Sequence, residues 1–441
     1  MNYSVTVKNY LMSDIDAMAS TPEAYALNPG KDFTRHRKIS FKDLILLPIT
    51  MEAGTMRHEL YKYFNYQKDT LSNSAYCQQR NKLAPETFKT LLQRFNSHFP
   101  PAPYKDKYQL MAADGCTFTF TRNPEDTISF YGPDGKSTKG FNQIHTVALY
   151  DLISRYYVNA KIQPIKKKNE FKALAELIDE YEHHDLMPIF IADRGFFAYN
   201  VFAHAIENKS FFLIRAKDKN MMRLTGSSIN ELPDNLDISV TRILTRSASK
   251  KNRKQPDKPD AYRYICKAVR FDYLPEGSKD EYEITLRVLR FKITDSSYEN
   301  IVTNLPVEEF SADDIKDLYN LRWGIETSFR ELKHILGTGN FRSKKREYIE
   351  HEIWAKLILY NFCSIITQHV VLKRAKRKYE YQVNFTVAFN ACHYFIRIKN
   401  EDSPPNIEGL IRQNILPIRP GRNYARQHRF QIPVSFTYRF S

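Results

Sequence analysis

The stretch YQLMAADGCTFTFT, residues 108–121, decides the fold class of this 441-residue chain. Its apolar and β-branched residues predict a strand, and FNQIHTVALYDLIS and RYYVNAKIQPI predict two more. The amphipathic helix NEFKALAELIDEYEHH follows, then the buried strand MPIFIADRGF, the helix VFAHAIENKS and the strand FFLIRAK. Strands followed by alternating helices and strands predict an α/β layer.

The segments on either side of this layer have a different character. Residues 1–105 are mostly helical in pattern, and Pro101 and Pro103 mark their end. YRYICKAVRFDYL and YEITLRVLRFKI, which alternate Arg with apolar residues, predict a β-rich insertion over residues 218–300. The chain beyond His351 has the pattern of helices followed by a basic tail.

Composition and charge narrow the function. A chain of 441 residues exceeds what one core usually supports, so two or three domains are expected. The net charge of +16 favours a polyanionic partner, and residues 371–441 hold 13 basic and 4 acidic residues. Five cysteines without a C-x-x-C pair indicate neither a disulfide framework nor a zinc site. No signal peptide and no apolar run of about 20 residues is present, so we expect a cytoplasmic protein without a membrane span.

The stretch YNLRWGIETSFRELKH, Tyr319–His334, predicts a helix. Tyr319, Arg322, Glu326 and Lys333 stand at offsets 0, 3, 7 and 14, which places them within roughly 60° on one helix face. A capping-box-like start precedes them, and packing falls to the apolar stripe Ile315, Leu318, Ile325, Phe329, Leu332 and Leu336. A surface ion pair between Arg322 and Glu326 is the alternative, but it leaves Tyr319 and Lys333 unexplained.

Three acids occupy informative positions. Asp114 lies within a predicted strand, Asp193 ends another, and Glu326 lies on the predicted helix. Reacting groups collect at the carboxyl ends of strands in α/β sheets, so the three acids could converge. Converging carboxylates repel one another unless a cation such as Mg²⁺ holds them, and two such ions can support phosphodiester cleavage. Each acid alone is also consistent with a turn or a cap.

These residues carry a resemblance to a known family. The pattern Y-x2-R-x3-E-x6-K resembles the signature of bacterial DDE transposases of the insertion-sequence-four family, and MAADGCTFTF and IADRGF resemble the family's two aspartate segments. SNSAYCQQRNKLAPETFKTLL, at residues 72–92, resembles its N-terminal helical region. The resemblance implies that Asp114, Asp193 and Glu326 are catalytic and bind Mg²⁺, for which Mn²⁺ can substitute.

The resemblance also implies a fold and a division of the chain. The expected fold class is α/β, an RNase H-like mixed sheet with flanking helices, a β-rich insertion, and helical N- and C-terminal regions. Residues 1–105 would bind DNA, 106–217 and 301–365 would form the catalytic core, 218–300 the insertion, and 366–441 a basic C-terminal region.

DNA contacts follow from the same resemblance. Tyr319, Arg322 and Lys333 would contact the transposon end, and Arg330 and Arg194 are predicted as further contacts. A salt bridge is an equally good interpretation of Arg194 and Lys217. Well-studied relatives use a Trp of the insertion to stabilise a flipped base, whereas here both tryptophans lie elsewhere, so a tyrosine of the insertion would have to replace it: Tyr262, Tyr264 or Tyr273.

The predicted function is therefore cut-and-paste DNA transposition. Water and then a free 3′-OH would attack phosphorus in line, without a covalent enzyme intermediate. The partners would be the double-stranded DNA of the transposon ends and of the target, and a second copy of the chain in a synaptic complex. A metal-dependent nuclease on the same fold and a catalytically inert, transposase-derived DNA-binding protein are the alternatives.

Four other motifs support no separate function. The glycines of GPDGKST are too close together for a phosphate loop, and HEIWA lacks the second His of a zinc helix. His183 and His184 are typical of a solvated helix end. KRAKRK, residues 373–378, is more consistent with an exposed or DNA-facing helix than with a targeting signal.

Overall fold

The structure is a computed structural model of the chain. It describes residues 2–52, 54–133, 139–182, 185–247, 262–295, 297–334, 341, 343–370, 380–398 and 405–418. None of the helices within these ranges is both long and apolar enough to cross a bilayer.

The N-terminal region is helical, as the sequence predicts. Four of its helices begin at a side-chain cap, because Asn2, Ser40, Thr55 and Ser72 each accept a hydrogen bond from a backbone N–H of the first turn. The elements are α1 (Tyr3–Ser20), a 3-10 turn (Pro22–Tyr25), α2 (Phe41–Thr50), α3 (Met56–Tyr63), α4 (Asn73–Arg80) and α5 (Thr87–Ser97).

One large mixed sheet forms the centre of the chain. Its strands are β1 (Tyr108–Phe120), β2 (Phe130–Tyr131), β3 (Phe141–Asp151), β4 (Tyr156–Pro164), β5 (Met187–Ala192), β6 (Phe211–Ala216), β7 (Leu236–Thr245), β8 (Tyr262–Tyr264), β9 (Glu281–Thr294) and β10 (Ser297–Thr303). β1, β3 and β4 are antiparallel neighbours, β5 is parallel to β1, and β6 is parallel to β5. This order, β4-β3-β1-β5-β6, is RNase H-like and confirms the predicted fold class.

The insertion extends this sheet instead of forming a separate one. β10 pairs with β6, and the order continues β10-β9-β7-β8. The strand predicted from YRYICKAVRFDYL is correct only for Tyr262–Tyr264. The remainder is a loop, because the Arg246 guanidinium takes up carbonyl oxygens that a strand would offer to its neighbour: those of Cys266, Val269, Phe271 and Leu274.

Helices cover both faces of the sheet. On one face lie α6 (Glu170–Asp179), α7 (Tyr199–Glu207), α8 (Asp218–Thr225) and the 3-10 turns Arg194–Phe196 and Ile229–Glu231. A further 3-10 turn, Ile165–Lys167, follows β4. On the other lie α9 (Ala312–Leu321), α10 (Trp323–His334) and α11 (Arg346–His369). α11 shares its core with the N-terminal helices and with α12 (Phe385–Arg397) and α13 (Ile407–Gln413), beside the small sheet of β11 (Glu380–Val383) and β12 (Ile415–Ile418).

The prediction of one continuous helix over Tyr319–His334 is wrong at Arg322. Here the Arg322 N–H bonds to the Tyr319 carbonyl and the Ile325 N–H to the Arg322 carbonyl, a tighter 3-10 pattern that ends α9 and starts α10. The two helices pack in different cores. Ile315 and Leu318 pack over β5 and β10, while Ile325, Phe329 and Leu332 pack over β1.

Candidate active site

Two of the three predicted acids lie at neighbouring backbone positions, in or directly after adjacent strands. Ala113 of β1 pairs with Ala192 of β5 in parallel register. Asp114 and Asp193 are the next residues along the two segments. Because adjacent strands lie about 4.8 Å apart, the sheet itself brings the two carboxyl groups together.

Both carboxyl groups lie on the sheet face that α9 and α10 cover. Ala112, two residues before Asp114, shares a core with Ile325 of α10, and Ile191, two residues before Asp193, packs with α9. Side chains alternate along extended backbone, and Asp193 keeps an extended conformation. The aspartates therefore share the face of those apolar residues.

Glu326 reaches the same place from α10. The pKa of Asp114 is raised to about 6, mainly by burial and also by the nearby carboxylates of Glu326 and Asp193. The Gly115 N–H, 2.8 Å from Asp114 Oδ1, and the Arg322 guanidinium lower this pKa. The three acids and Arg322 thus form one electrostatic cluster.

Polar partners hold two of the acids. Arg322 Nη2 donates to Glu326 Oε1 over 2.9 Å. The Tyr319 hydroxyl donates to Asp193 Oδ1 over 3.2 Å, and Arg215 Nη1 lies 3.9 Å from the same oxygen. Two residues of the helical motif, Tyr319 and Arg322, therefore contact the predicted acids directly.

The donor set fits a hard divalent cation in its chemistry. In the part of the chain that the structure describes, no three His, Cys, Asp or Glu side chains are already grouped as ligands of one ion. Asp114, Asp193 and Glu326 nevertheless offer only carboxylate oxygens, the ligands that Mg²⁺ prefers. Burial of Asp114 beside two other carboxylates also costs free energy that a bound cation would offset.

The predicted DNA contacts differ in accessibility. Tyr319 and Arg322 are only 2% and 3% exposed. Lys333 is partly buried, and its Nζ lies 5.6 Å from the ring centre of Phe118. Burial raises the pKa of the Cys116 thiol, and the nearby charge of Lys333 opposes this rise. Cys116 and Phe118 follow Asp114 on the same face of β1, so Lys333 extends the site along this strand.

The remaining predicted contacts are at the surface. Arg330 is exposed on α10, where its Nη2 donates to Thr327 Oγ1 over 3.1 Å. Arg194 is exposed in the turn after Asp193, and Lys217 is exposed at the start of α8. All three cations are accessible to a ligand, and their contact with DNA stays a prediction.

Two charged residues of the site are missing from the sequence-based prediction. Arg215 lies in β6 and Glu299 in β10, and Arg215 Nε lies 3.8 Å from Glu299 Oε1. Burial raises the pKa of Glu299, while Arg215 and Arg322 lower it and Asp193 raises it. A single Arg inside the apolar run FFLIRAK was a usable signal, whereas pairing of β10 with β6 was not visible in the sequence.

The tyrosines predicted to stack on a flipped base lie away from the acids. Tyr262 and Tyr264 belong to β8, six strand positions from β1, which corresponds to roughly 29 Å. Tyr273 packs against His204, with ring centres 5.0 Å apart, on the sheet face opposite the acids.

Several motifs noted in the sequence fall outside the described residues. They are residues 134–138 of GPDGKST, the pair His183 and His184, the basic run 373–378 and most of the C-terminal tail.

Comparison with protein families gives a match over more than half of the chain. The family described as "Transposase DDE domain" matches residues 105–362. This range contains Asp114, Asp193 and Glu326.

Individual relatives are more distant. The transposase for insertion sequence element IS231F of Bacillus thuringiensis subsp. israelensis is 23% identical over 316 residues, which cover 65% of this chain and 63% of that protein. The transposase InsG for insertion sequence element IS4 of Escherichia coli (strain K12) is 27% identical over 135 residues, 30% of each chain. The chain thus spans less than two thirds of the length of the curated relatives it matches.

Among solved structures, the chain is similar to a piggyBac transposase in a cryo-EM synaptic complex with hairpin DNA. The sequence identity is 11% and the TM-score 0.43, over 95% of this chain and 87% of the other.

Proposed function

The chain belongs to the transposase DDE domain family, and we propose that it is a DNA transposase that excises and inserts an insertion sequence. The observation that carries the proposal is the register of β1 and β5, which sets Asp114 beside Asp193 on the face where α10 brings Glu326. We further propose that it belongs to the insertion-sequence-four family, on the spacing Tyr319, Arg322, Glu326 and Lys333.

In the proposed mechanism Asp114, Asp193 and Glu326 would hold Mg²⁺, or Mn²⁺ in its place. When bound, the ions would activate the attacking oxygen and stabilise the leaving oxygen of a phosphodiester. Arg322 orients Glu326 through its 2.9 Å contact, and Tyr319 orients Asp193. Water attacks phosphorus in line and releases a 3′-OH, which then attacks the target strand.

Three cations on the elements that carry the acids would position the DNA. Lys333 and Arg330 on α10 and Arg194 after Asp193 are proposed to contact phosphates on either side of the scissile bond. Tyr319 and Arg322 are buried, so a direct contact with the transposon end would require the strand to lie immediately over Glu326.

The N-terminal region contributes a second basic surface. A cavity of about 370 Å³ is lined by Lys31, Arg35, Arg37 and Lys82, which come from two loops. The Leu27 N–H bonds to the Lys82 carbonyl over 2.7 Å and so joins the loops. Among the described residues, none of these four cations pairs with a carboxylate. We propose that this basic cavity binds the phosphate backbone of the transposon end.

The domain roles complete the proposal. Residues 1–105 and the basic region 366–441 would recognise the terminal inverted repeats, 106–217 and 301–365 would carry the chemistry, and 218–300 would support it. Two copies of the chain would join the two ends in a cytoplasmic synaptic complex.

The test is Mg²⁺-dependent cleavage of DNA that carries the element's own ends. Wild type, Glu326→Gln and the control Asp317→Asn, an exposed acid on α9, are compared with Mg²⁺ and with EDTA. We expect end-specific nicking and strand transfer by wild type and control, about 10²- to 10³-fold slower reaction in Glu326→Gln, and none in EDTA.

Other outcomes would identify another protein. Cleavage without end specificity or strand transfer would indicate a nuclease on this fold. DNA binding without cleavage by the wild type in either metal would indicate an inert DNA-binding protein.

A further inference from the structure

A buried polar pair lies on the sheet face opposite the acids. His145 of β3 is 1% exposed, and its Nε2 lies 3.0 Å from Oε1 of Glu170, the first residue of α6. His145 Nδ1 lies 2.9 Å from Thr117 Oγ1 on β1, and Lys168 Nζ lies 3.0 Å from Glu170 Oε1. Neither the motifs nor the proposed chemistry uses this pair.

The pair lies directly behind the first aspartate. A Cβ atom added to Gly115 would stand 2.5 Å from Glu170 Oε1 and 2.8 Å from His145 Nε2. Both distances are shorter than side chains tolerate, so Gly115 leaves the space that the pair fills. The N–H of Gly115 donates to Asp114 Oδ1 over 2.8 Å. The backbone that the pair contacts therefore also holds the carboxyl group of Asp114.

The same carboxylate also approaches the turn of the second aspartate. A Cβ atom on Gly195, two residues after Asp193, would lie 3.9 Å from Glu170 Oε2. One oxygen of Glu170 thus lies against the β1 backbone and the other against the 3-10 turn. The contact with His145, and further the contact with Lys168, lower the pKa of Glu170 despite its partial burial.

We propose that His145 and Glu170 are positioning residues that fix the backbone of Asp114 relative to that of Asp193. They act through the backbone and do not touch the substrate. The spacing of the Asp114 and Asp193 carboxylates would then depend on His145 and Glu170, which lie on the opposite face of the sheet. Residues that support metal ligands in this way commonly change the affinity for the metal. This inference rests on the proposed function, because it requires both aspartates to bind the metal.

The test measures Mn²⁺ affinity by calorimetry in the absence of DNA. The variants are Glu170→Ala, Glu170→Gln and the control Glu176→Gln, which lies on the same helix but pairs with Lys161 and Lys172. We expect Glu170→Ala to weaken Mn²⁺ binding roughly 10- to 100-fold. Glu170→Gln should retain part of the affinity, because its amide fills the same space beside His145 and Gly115, and the control should match wild type.

Gly115→Ala is a second variant that perturbs the same contact from the other side. We expect Gly115→Ala to weaken Mn²⁺ binding as well. Addition of Glu170→Ala should cost less than the sum of the two separate changes, because it removes the closer of the two clashes, the one with Glu170 Oε1. In Glu170→Gln, the affinity for DNA in EDTA and the thermal midpoint should equal those of wild type. A purely structural role of Glu170 would instead lower both quantities.

The outcomes separate the two proposals. Unchanged Mn²⁺ affinity in both Glu170→Ala and Gly115→Ala, with Asp114→Asn impaired, would overturn the positioning role alone. A wild-type chain with no Mn²⁺ affinity beyond that of Asp114→Asn would overturn the proposed metal site and this inference with it.

Discussion

Two arginine–glutamate pairs of this chain have arginines that are almost equally buried, but their glutamates differ in exposure to solvent. Arg80 of α4 and Arg322 are 1% and 3% exposed. Arg80 donates to Glu352 Oε1 at 3.2 Å, and also to Ser343 Oγ and the Tyr348 carbonyl.

The partners make the difference. The Glu352 side chain is 9% exposed and also accepts from Ser343, whereas the Glu326 side chain is 31% exposed. A closed pair joins two elements, here α4 and α11. A pair that keeps one side of its carboxylate open to solvent can exchange its partner for a ligand. Burial of the cation alone does not distinguish a structural pair from a candidate site.

The largest expected effect is on the closed pair. Arg80→Ala would remove a buried guanidinium from the buried Glu352 carboxylate, which should lower the free energy of unfolding by about 3–5 kcal/mol. Urea unfolding measures this change, and the double variant Arg80→Met/Glu352→Gln should recover most of it. A loss below about 1 kcal/mol in Arg80→Ala would erase the distinction between the pairs.

The open pair should respond in activity more than in stability. In Arg322→Ala, Glu326 can turn to solvent, so we expect a smaller loss of unfolding free energy than in Arg80→Ala. Cleavage should fall about 10²-fold, because a misplaced ligand costs that much. Single-turnover cleavage at saturating DNA measures it, with Arg330→Ala as the exposed control on α10. Equal stability losses in Arg322→Ala and Arg80→Ala would contradict the comparison.

The ionisation of Asp114 provides a pH-dependent test of how much the site lowers the free energy of unfolding. Its pKa, raised from 3.8 to about 6, means that the folded chain binds this proton more tightly than the unfolded chain. Its contribution to stability therefore declines as pH rises from about 4 to 6 and then stays constant. Asp114→Asn should raise the free energy of unfolding on the order of 1–2 kcal/mol at pH 7.5, and not at pH 4. The same gain at both pH values would exclude titration of Asp114 as its cause.

Cations without a carboxylate partner should give the smallest effect. In Arg35→Ala/Arg37→Ala, two cations of the basic cavity are removed, and the slope of log K against log salt concentration for binding of end DNA should become shallower by up to about 2. Lys38→Ala, which removes a partner of Asp69, is the control and should leave the slope unchanged. An unchanged slope in the double variant would exclude the cavity from the DNA interface.

The sequence predicted local features of the core well and tertiary features poorly. Period and β-branching identified the strands that carry Asp114 and precede Asp193, because these signals are local. The helix break at Arg322 has no sequence signal such as a Pro at that position. The burial of Tyr319 and Arg322 arises only when α9 and α10 pack on the sheet. Arg215 and Glu299 belong to strands whose pairing is non-local.

The loop around Arg246 shows the same limit. Its residues have the alternation of a strand, but one guanidinium binds the carbonyl oxygens and excludes the ladder. A side chain that competes for backbone acceptors is not visible in periodicity.

The register between β1 and β5 has a consequence for the order of events during synthesis. Asp114 and Asp193 can be placed as soon as β5 pairs with β1, but Glu326 stands more than two hundred residues beyond Asp114 and follows β10. A ribosome-bound chain that has not yet released α10 therefore carries two acids without the third. Because long-range contacts form late, the ability to cut DNA would appear only when the sheet and α10 are both complete, so catalysis would itself report that these two parts have assembled.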